Sequence, residues 1–349
     1  MSPTQQKALQ LKERFGPYAL ADVPVPKPGK GEVLLKIHSA ALNPVDWKLQ
    51  KYGFFLETYP ATLGSDIAGE VIELGDGVTE LSIGDKVFTQ GIIGDNNQSG
   101  FQQYATADAA TVAKLPSNLT YDDVSTIPVA FTAPYVGLYN VSPHGLGFDT
   151  PVRPENRGKY RGVPIVVLGG SSAVGYFTLQ LARLSGFSPI ITTASARHES
   201  SLTAAGATHV LDRNAPVTKA KIQAITTSPI KTVVDAISNA ETQRQGFEIL
   251  SSGGKQLLVL QPESFWESEG KEQDKTGVQV TGSKRYPQHA DLAKELYKKF
   301  TGLLENGDIK PHNVEVLPGG LNGIADGLKR LEEGKVSNTK LVSRPQEPQ

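Results

Sequence analysis

The sequence predicts an α/β protein: a compact β-barrel-like unit, then a doubly wound parallel sheet. Three observations predict it. From residue 32 to 115, strand-like runs and turn residues follow each other in a rhythm of about 8–12 residues. From 164 onward, short apolar runs alternate with helical patterns, which implies a parallel sheet with helices on both faces. Between the two regimes lies Pro164-Ile-Val-Val-Leu-Gly-Gly-Ser-Ser-Ala-Val-Gly175. There a buried strand passes through a glycine turn into a helix start.

Taken in order, residues 1 to about 30 read as one β excursion and a proline-rich connector, Val23-Pro-Val-Pro-Lys-Pro-Gly-Lys30. Glu32–His38 is a strand. Asn43-Pro44 opens a turn with a short helix after it. Gly64–Gly75 and Leu81–Phe88 are strands ending in tight turns. Tyr121–Pro128 and Ala130–Tyr139 are helical, the second despite Pro134. Residues 142–162, rich in Pro, Gly and charge, form a loop insertion. Sheet strands are expected at 164–169, 189–194, 209–212, 232–237, 255–260 and 278–282. Residues 288–305 form an amphipathic helix striped by Leu292, Leu296, Phe300 and Leu303. Val314–Leu317 is a strand, Asn322–Glu333 a helix ending at Gly334, and Lys340-Leu-Val342 a last strand. The expected domains are 1–127, 128–285 and a return to the first domain over 286–349.

At 349 residues the chain is long enough for two domains. Its 35 basic and 36 acidic residues leave a net charge of −1, which argues against nucleic acid or an anionic membrane as partner. No apolar run is long enough to span a bilayer. The start, Met1-Ser-Pro-Thr-Gln-Gln-Lys7, lacks an apolar signal core, so the expected location is the cytoplasm. Cysteine is absent, which rules out disulfides, a thiolate nucleophile and cysteine-ligated metal. The six histidines (38, 144, 198, 209, 289, 312) include no pair at metal-binding helical spacing, so no metal is expected.

The glycine turn matches a dinucleotide fingerprint at Gly170, Ser172 and Gly175, with serine in place of the middle glycine. Ser171, Ser172, Ala173 and Val174 are expected to offer backbone N–H groups to a pyrophosphate. A glycine-rich turn of any α/β protein is the alternative reading. The second strand ends where an acid would bind a ribose 2′-hydroxyl, but Ser195, Ala196, Arg197 and His198 stand there. A hydroxyl with a cation beside it suits a 2′-phosphate, so NADPH is expected. The alternative is an ordinary solvated Arg197. Strand ends at Ala236, Ile237, Leu260 and Gln261 are further candidates for cofactor contact, with plain turn chemistry as the alternative.

Several motifs occur in register: Asn43-Pro-Val-Asp-Trp-Lys48, Gly64-Ser-Asp-Ile-Ala-Gly-Glu70, Gly84-Asp-Lys-Val87, Gly169 to Gly175, Gly206-Ala-Thr-His-Val210, Val234-Asp235 and Gly253-Gly-Lys255. Together they resemble the medium-chain dehydrogenase/reductase superfamily over essentially the full length. The resemblance implies a GroES-like catalytic domain, an inserted Rossmann nucleotide-binding domain, and a C-terminal return. Where zinc alcohol dehydrogenases hold the catalytic metal by cysteine and histidine, this chain has Asn43 and Ser65. The structural-zinc lobe is missing. The chain is thus similar to the zinc-free quinone-oxidoreductase and enoyl-reductase branch, and above all to fungal trans-acting enoyl reductases. Features of that likeness include the 142–162 insertion, Thr193-Ala-Ser-Ala-Arg-His198 and Gly334-Lys-Val-Ser-Asn-Thr-Lys-Leu-Val342.

That resemblance implies roles for further residues. Asn43, Pro44 and Lys48 belong to its cofactor-binding set, with Lys48 reaching the ribose or the substrate carbonyl; otherwise Lys48 is a surface lysine. Thr132 stands beside the nicotinamide, or is a helix-capping hydroxyl. Tyr52 faces the substrate, where its phenol could donate to an enolate oxygen or protonate the α-carbon, or it is a packing tyrosine. Arg213 replaces a tyrosine that packs by the adenosine. Lys340 matches a position that touches the cofactor. Asp46 is expected to hold its turn, and Asp66 to be hydrogen-bonded nearby.

Without a Lewis acid, reduction of a conjugated C=C is more plausible than alcohol oxidation, because an enolate needs only hydrogen-bond donors. The leading expectation is NADPH-dependent reduction of an α,β-unsaturated carbonyl, as a small molecule or a carrier-bound acyl chain. NADPH:quinone reduction and non-catalytic NADPH binding are the alternatives. The charged stretch Glu263–Lys275, just before the last sheet strand, disfavours edge pairing and favours a monomer over a homodimer.

Overall fold

Short β-branched runs build the parallel sheet. In the computed structural model, which describes residues 3–348, six strands pair in parallel throughout. They are Ile165–Leu168, Ile190–Ala194, His209–Asp212, Thr232–Asp235, Gly254–Leu258 and Lys275–Gln279. Their spatial order runs from His209–Asp212 at one edge to Lys275–Gln279 at the other, with Ile165–Leu168 and Thr232–Asp235 side by side in the middle. The chain winds outward one way from Ile165–Leu168 and the other way from Thr232–Asp235. Ligands of such sheets bind outside the strand carboxyl ends at that reversal. Every residue of Ile165–Leu168 is buried. Helices Ala173–Ser185, Glu199–Ala205, Lys219–Gln223, Ala240–Ile249 and Glu269–Glu272 make the crossovers.

A second, largely antiparallel sheet has seven strands. Glu32–Ala41 pairs with Asp66–Leu74, Tyr104–Asp108 and Lys340–Ser343. The C-terminal strands Val314–Val316 and Lys340–Ser343 therefore belong to the N-terminal sheet, the GroES-like return. Its apolar faces gather Val33, Leu35, Ile37, Ile67, Val71 and Val87 into one core. A separate core under the parallel sheet includes Val166, Ile191, Val233, Phe247 and Leu258. One compact unit takes the chain up to Val129, with Ala293–Asn306 and the segment from Pro311 onward. The other holds Ala130–Leu292 and Gly307–Lys310.

Several elements differ from expectation. The single β excursion at the start is a pair of antiparallel strands, Gln5–Leu11 and Tyr18–Pro24, with Leu11 opposite Tyr18. The turn joining them carries Phe15 at φ 64°, a conformation the residue type does not advertise. The strand expected at Leu81–Phe88 begins only at Lys86. Asp85 takes the Ser82 N–H at 2.8 Å and Gly84 sits at φ 92°, so the first half is a turn. The last sheet strand lies at Lys275–Gln279 rather than 278–282. The preceding stretch is no polar spacer: Trp266 is buried and donates to Gln243 at 3.0 Å, drawing the strand forward.

Candidate active site

The turn after Ile165–Leu168 is fixed by close packing. Gly169 has φ 83°. A Cβ on Gly170 would lie 2.2 Å from Thr192 Oγ1, and one on Gly175 would lie 2.2 Å from the Gly169 carbonyl oxygen. Only glycine fits at either place. Ser172 caps helix Ala173–Ser185, its Oγ accepting the Gly175 N–H at 3.0 Å and donating to the Gly169 carbonyl at 2.8 Å. The Ser172 N–H is spent on the same carbonyl at 3.0 Å. Ala173 and Val174 open the helix, so their N–H groups have no intrahelical acceptor. Together with Ser171, half-buried beside them, they form a cradle suited to a pyrophosphate.

Around the next two strand ends the chemistry turns basic. Ser195 opens the short turn Ala196–His198. The exposed Arg197 donates from Nε to His198 Nε2 at 3.2 Å. Arg213, also exposed, follows the neighbouring strand, and its N–H donates to the Ala194 carbonyl at 3.0 Å. Partial burial lowers the His198 pKa, and the positive charges of Arg197 and Arg213 lower it further.

Across the reversal, Asp235 is buried at the end of its strand. It accepts from the N–H groups of Ile237 and Ser238, at 3.1 and 2.7 Å, and from Gln256 Nε2 at 3.1 Å. Burial raises its pKa. Ala236 is buried, and its N–H donates to the Leu168 carbonyl at 3.0 Å. Ile237 is exposed, with its side chain over the space that Gly169 leaves. Gln243 Nε2 ties the Ser238 and Gln261 carbonyls, at 3.0 and 2.9 Å, and Leu260 is half-buried beside them. The candidates from Gly170 to Gln261 thus share one edge of one sheet. Thr132 is buried within helix Pro128–Tyr139.

In the other unit, Pro44, Lys48 and Tyr52 recur every four residues on helix Pro44–Tyr52 and so share a face. Lys48 lies 5.6 Å from the Trp47 ring, and partial burial lowers its pKa. Tyr52 is exposed and packs against Phe54. Asp46 is buried and accepts the Asn43 N–H at 2.8 Å, holding the helix start. Burial pushes its carboxyl up to about 7, with the Asn43 N–H and the Lys340 charge pulling against the rise.

Asn43 and Lys340 meet inside this unit. Lys340 Nζ donates to Asn43 Oδ1 at 2.6 Å and to Asp66 Oδ2 at 2.8 Å. Asn43 Nδ2 donates to the same Asp66 oxygen at 2.8 Å, and the Val129 N–H to its other oxygen at 2.7 Å. Lys340 is 4 % exposed and Asp66 fully buried. The zinc-dependent relatives of this fold imply a metal here, and the residues do not fit one. An amide, a hydroxyl (Ser65) and a carboxylate already neutralised by an ammonium are poor company for a zinc ion. Among the described residues no cluster of three His, Asp or Glu side chains converges elsewhere.

Sequence reasoning left out Thr192 and Thr193. Thr193 Oγ1 accepts the Gly169 N–H at 2.9 Å, and Thr192 Oγ1 donates to the Val167 carbonyl at 2.7 Å. Two threonines in an otherwise apolar buried strand are the signal. The reach of Lys340 across 297 residues to Asn43 had no local signal at all.

Residues 29–117 match the family model for the alcohol dehydrogenase GroES-like domain, and 173–294 that for zinc-binding dehydrogenase. The trans-enoyl reductase himH of Aspergillus japonicus is 31% identical over 322 residues, 89% of each chain. The enoyl reductase component lovC of the lovastatin nonaketide synthase of Aspergillus terreus is 26% identical over 99% of this chain and 98% of its own. An alcohol dehydrogenase superfamily protein from Novosphingobium aromaticivorans shares the fold at TM-score 0.79 and 21% identity, covering 97% of this chain and 98% of its own. The quinone oxidoreductase of Coxiella burnetii does so at TM-score 0.71 and 24% identity, with the same coverage. Fold, motifs in register and full-length relatives agree: this chain belongs to the medium-chain dehydrogenase/reductase superfamily, in the group of the fungal trans-enoyl reductases.

Proposed function

We propose that this oxidoreductase reduces the C=C bond of an α,β-unsaturated carbonyl compound by hydride transfer from NADPH, without zinc. The observation that carries the reading is helix Pro44–Tyr52, which presents the Lys48 ammonium and the Tyr52 phenol one turn apart. Among the described residues no carboxylate pairs with Lys48, and burial is the sole cause of its lowered pKa. Its N–H groups and the Tyr52 O–H are the donors that a developing enolate oxygen needs. The Tyr52 phenol can donate its proton to the α-carbon. Bound NADPH would supply the hydride. Gly170 to Val174 would hold its pyrophosphate, and Ser195, Arg197, His198 and Arg213 its 2′-phosphate.

The names of the relatives support the reaction class. The lovC protein is a component of a synthase, which for this chain favours an acyl thioester on a carrier over a free enone. The chain acts as a monomer in this reading, which the charged stretch Glu263, Glu267, Glu269, Lys271 and Glu272 leading into edge strand Lys275–Gln279 favours. NADPH oxidation against enones, enoyl thioesters, quinones and aldehydes, with product identification, tests the proposal. A saturated carbonyl product is expected. Hydroquinone as the sole product would move the activity to quinone reduction. Tight NADPH binding with no turnover would leave a binding protein.

A further inference from the structure

Gln243 uses every hydrogen bond its side chain can make. It lies in the first turn of helix Ala240–Ile249 and is fully buried. Its Nε2 donates to the Ser238 carbonyl at 3.0 Å and to the Gln261 carbonyl at 2.9 Å. Its Oε1 accepts the Glu263 N–H at 2.9 Å and the Trp266 Nε1–H at 3.0 Å. Two donors and two acceptors are the whole capacity of an amide. Ser238 precedes the helix, and the other partners follow the next strand, Gly254–Leu258. The strands before these two segments are neighbours, with Asp235 opposite Leu258. One side chain therefore sets the spacing of two loops at the carboxyl edge of the sheet.

The first of those loops is strained. Ser238 has φ 58°, left-handed for a residue with a Cβ. Such strain persists only where the surroundings over-determine it, and it gathers at ligand sites. The Ser238 N–H donates to Asp235 Oδ1 at 2.7 Å. Its Oγ donates to the Asp235 carbonyl at 2.7 Å and accepts the Val259 N–H at 2.9 Å. Gln243 completes the set at the carbonyl. Ile237, next to Ser238, lies against the glycine turn, where a Cβ on Gly169 would come within 2.6 Å of it. Gln243 is thus linked through Ser238 and Ile237 to the pyrophosphate cradle.

Charge gives a second reason. A carbonyl oxygen is partly negative, and two of them unpaired at this edge would oppose a polyanion. Gln243 engages both with a buried amide. The sheet order says which half of a dinucleotide is concerned. Arg197 and Arg213 follow the strands on one side of Ile165–Leu168, and Ser238 and Gln261 follow those on the other. With the pyrophosphate between them and the 2′-phosphate at the arginines, the nicotinamide half falls to the side of Ser238 and Gln261.

We propose that Gln243 is a positioning residue for that half: it holds the turn Asp235–Ser238 and the loop from Val259 to Trp266 in the geometry that takes the nicotinamide end of NADPH. This rests on the reading of the chain as an NADPH enzyme.

Isothermal titration of the full chain with NADPH and with adenosine 2′,5′-bisphosphate, which carries only the arginine-side half, tests it. Gln243→Leu keeps the volume and removes all the side-chain bonds. It should weaken NADPH by about 10-fold or more, through lost pre-organisation, and leave the bisphosphate as in wild type. A purely structural role would weaken both ligands alike or neither, and either result overturns the proposal. Should the leucine variant not fold, Gln243→Glu at about pH 6 serves. Burial raises the pKa of a carboxyl, so the side chain is then a neutral isostere with one donor in place of two. The same split between the ligands is expected, smaller in size, and its absence overturns the proposal. Wild type that binds neither ligand defeats the NADPH reading and the proposal with it, whereas wild-type binding of NADPH that Gln243 does not affect defeats the proposal alone.

Discussion

At the carboxyl edge of the parallel sheet, the N–H groups of Ala173 and Val174 have no acceptor within their helix, and Arg197 and Arg213 stand exposed with His198 between them. At Asp66 the carboxylate's own charge already has its partners: an ammonium, an amide and a backbone N–H converge on it in the interior. Both regions are polar and both carry residues that family resemblance marks for the cofactor. The first has donors and cations in excess, the electrostatics of a site waiting for an anion. The second is electrically closed. Lys340, which resemblance would send to the cofactor, has its ammonium inside that closed set. A buried pair of this kind adds little net stability but is costly to break, because one partner then remains charged and alone.

Breaking the closed region should give the largest effect. Lys340→Ala strands Asp66 without its cation and should cost about 3–5 kcal/mol of stability, read by urea or thermal unfolding. Lys340→Met combined with Asp66→Asn removes both charges and should recover much of that loss. If Lys340→Ala unfolds like wild type yet raises KM for NADPH, the lysine belongs to the open region instead.

The open region should respond in binding and leave stability alone. Arg197→Ala with Arg213→Ala should weaken NADPH by about 10–100-fold, the range for losing charge-assisted hydrogen bonds. NADH, which lacks the 2′-phosphate, should be nearly unaffected in isothermal titration. Equal losses for both nucleotides would remove the 2′-phosphate from this edge.

Asp46 sharpens the comparison through pH. Its folded pKa, about 7, lies above the ordinary carboxylate value. Folding therefore pays to ionise it, and its contribution to stability is lost as pH rises from about 4 through about 7. Asp46→Asn keeps an acceptor for the Asn43 N–H without the charge. It should raise the Tm by a few degrees at about pH 8, by less at about pH 5, and hardly at all at about pH 3.

The smallest effect is expected at His198. Burial and two guanidiniums depress its pKa in the free protein. A 2′-phosphate reverses the sign of the local field, raising that pKa, so binding should take up a proton and tighten as pH falls from about 8 to about 6. Titration in buffers of different ionisation heat measures the uptake. His198→Gln should abolish it while moving the affinity less than the arginine pair does.

The sheet and its turn were legible because their causes are local. A β-branched run such as Ile165–Leu168, two glycines and two serines specify strand, turn and cap within a dozen residues. The strand Lys275–Gln279 was misplaced by three residues because Trp266 found a core partner in Gln243, which spacing along the chain does not show. The same holds for Phe15 and Phe55, whose type says buried and whose backbone placed them outside.

Composition and periodicity by themselves determined a two-part α/β chain without thiols, a glycine-serine turn between strand and helix, and a basic end to the second strand. Each follows from residues a few positions apart, whose sterics and hydrogen bonds act over that range. Tertiary structure alone decided that Lys340 is spent on Asp66, that Arg213 joins Arg197 and His198, and that aromatic rings beside Gly53 stay in water. Those outcomes depend on charges and rings brought together from distant segments, where burial and electrostatics act between neighbours in space.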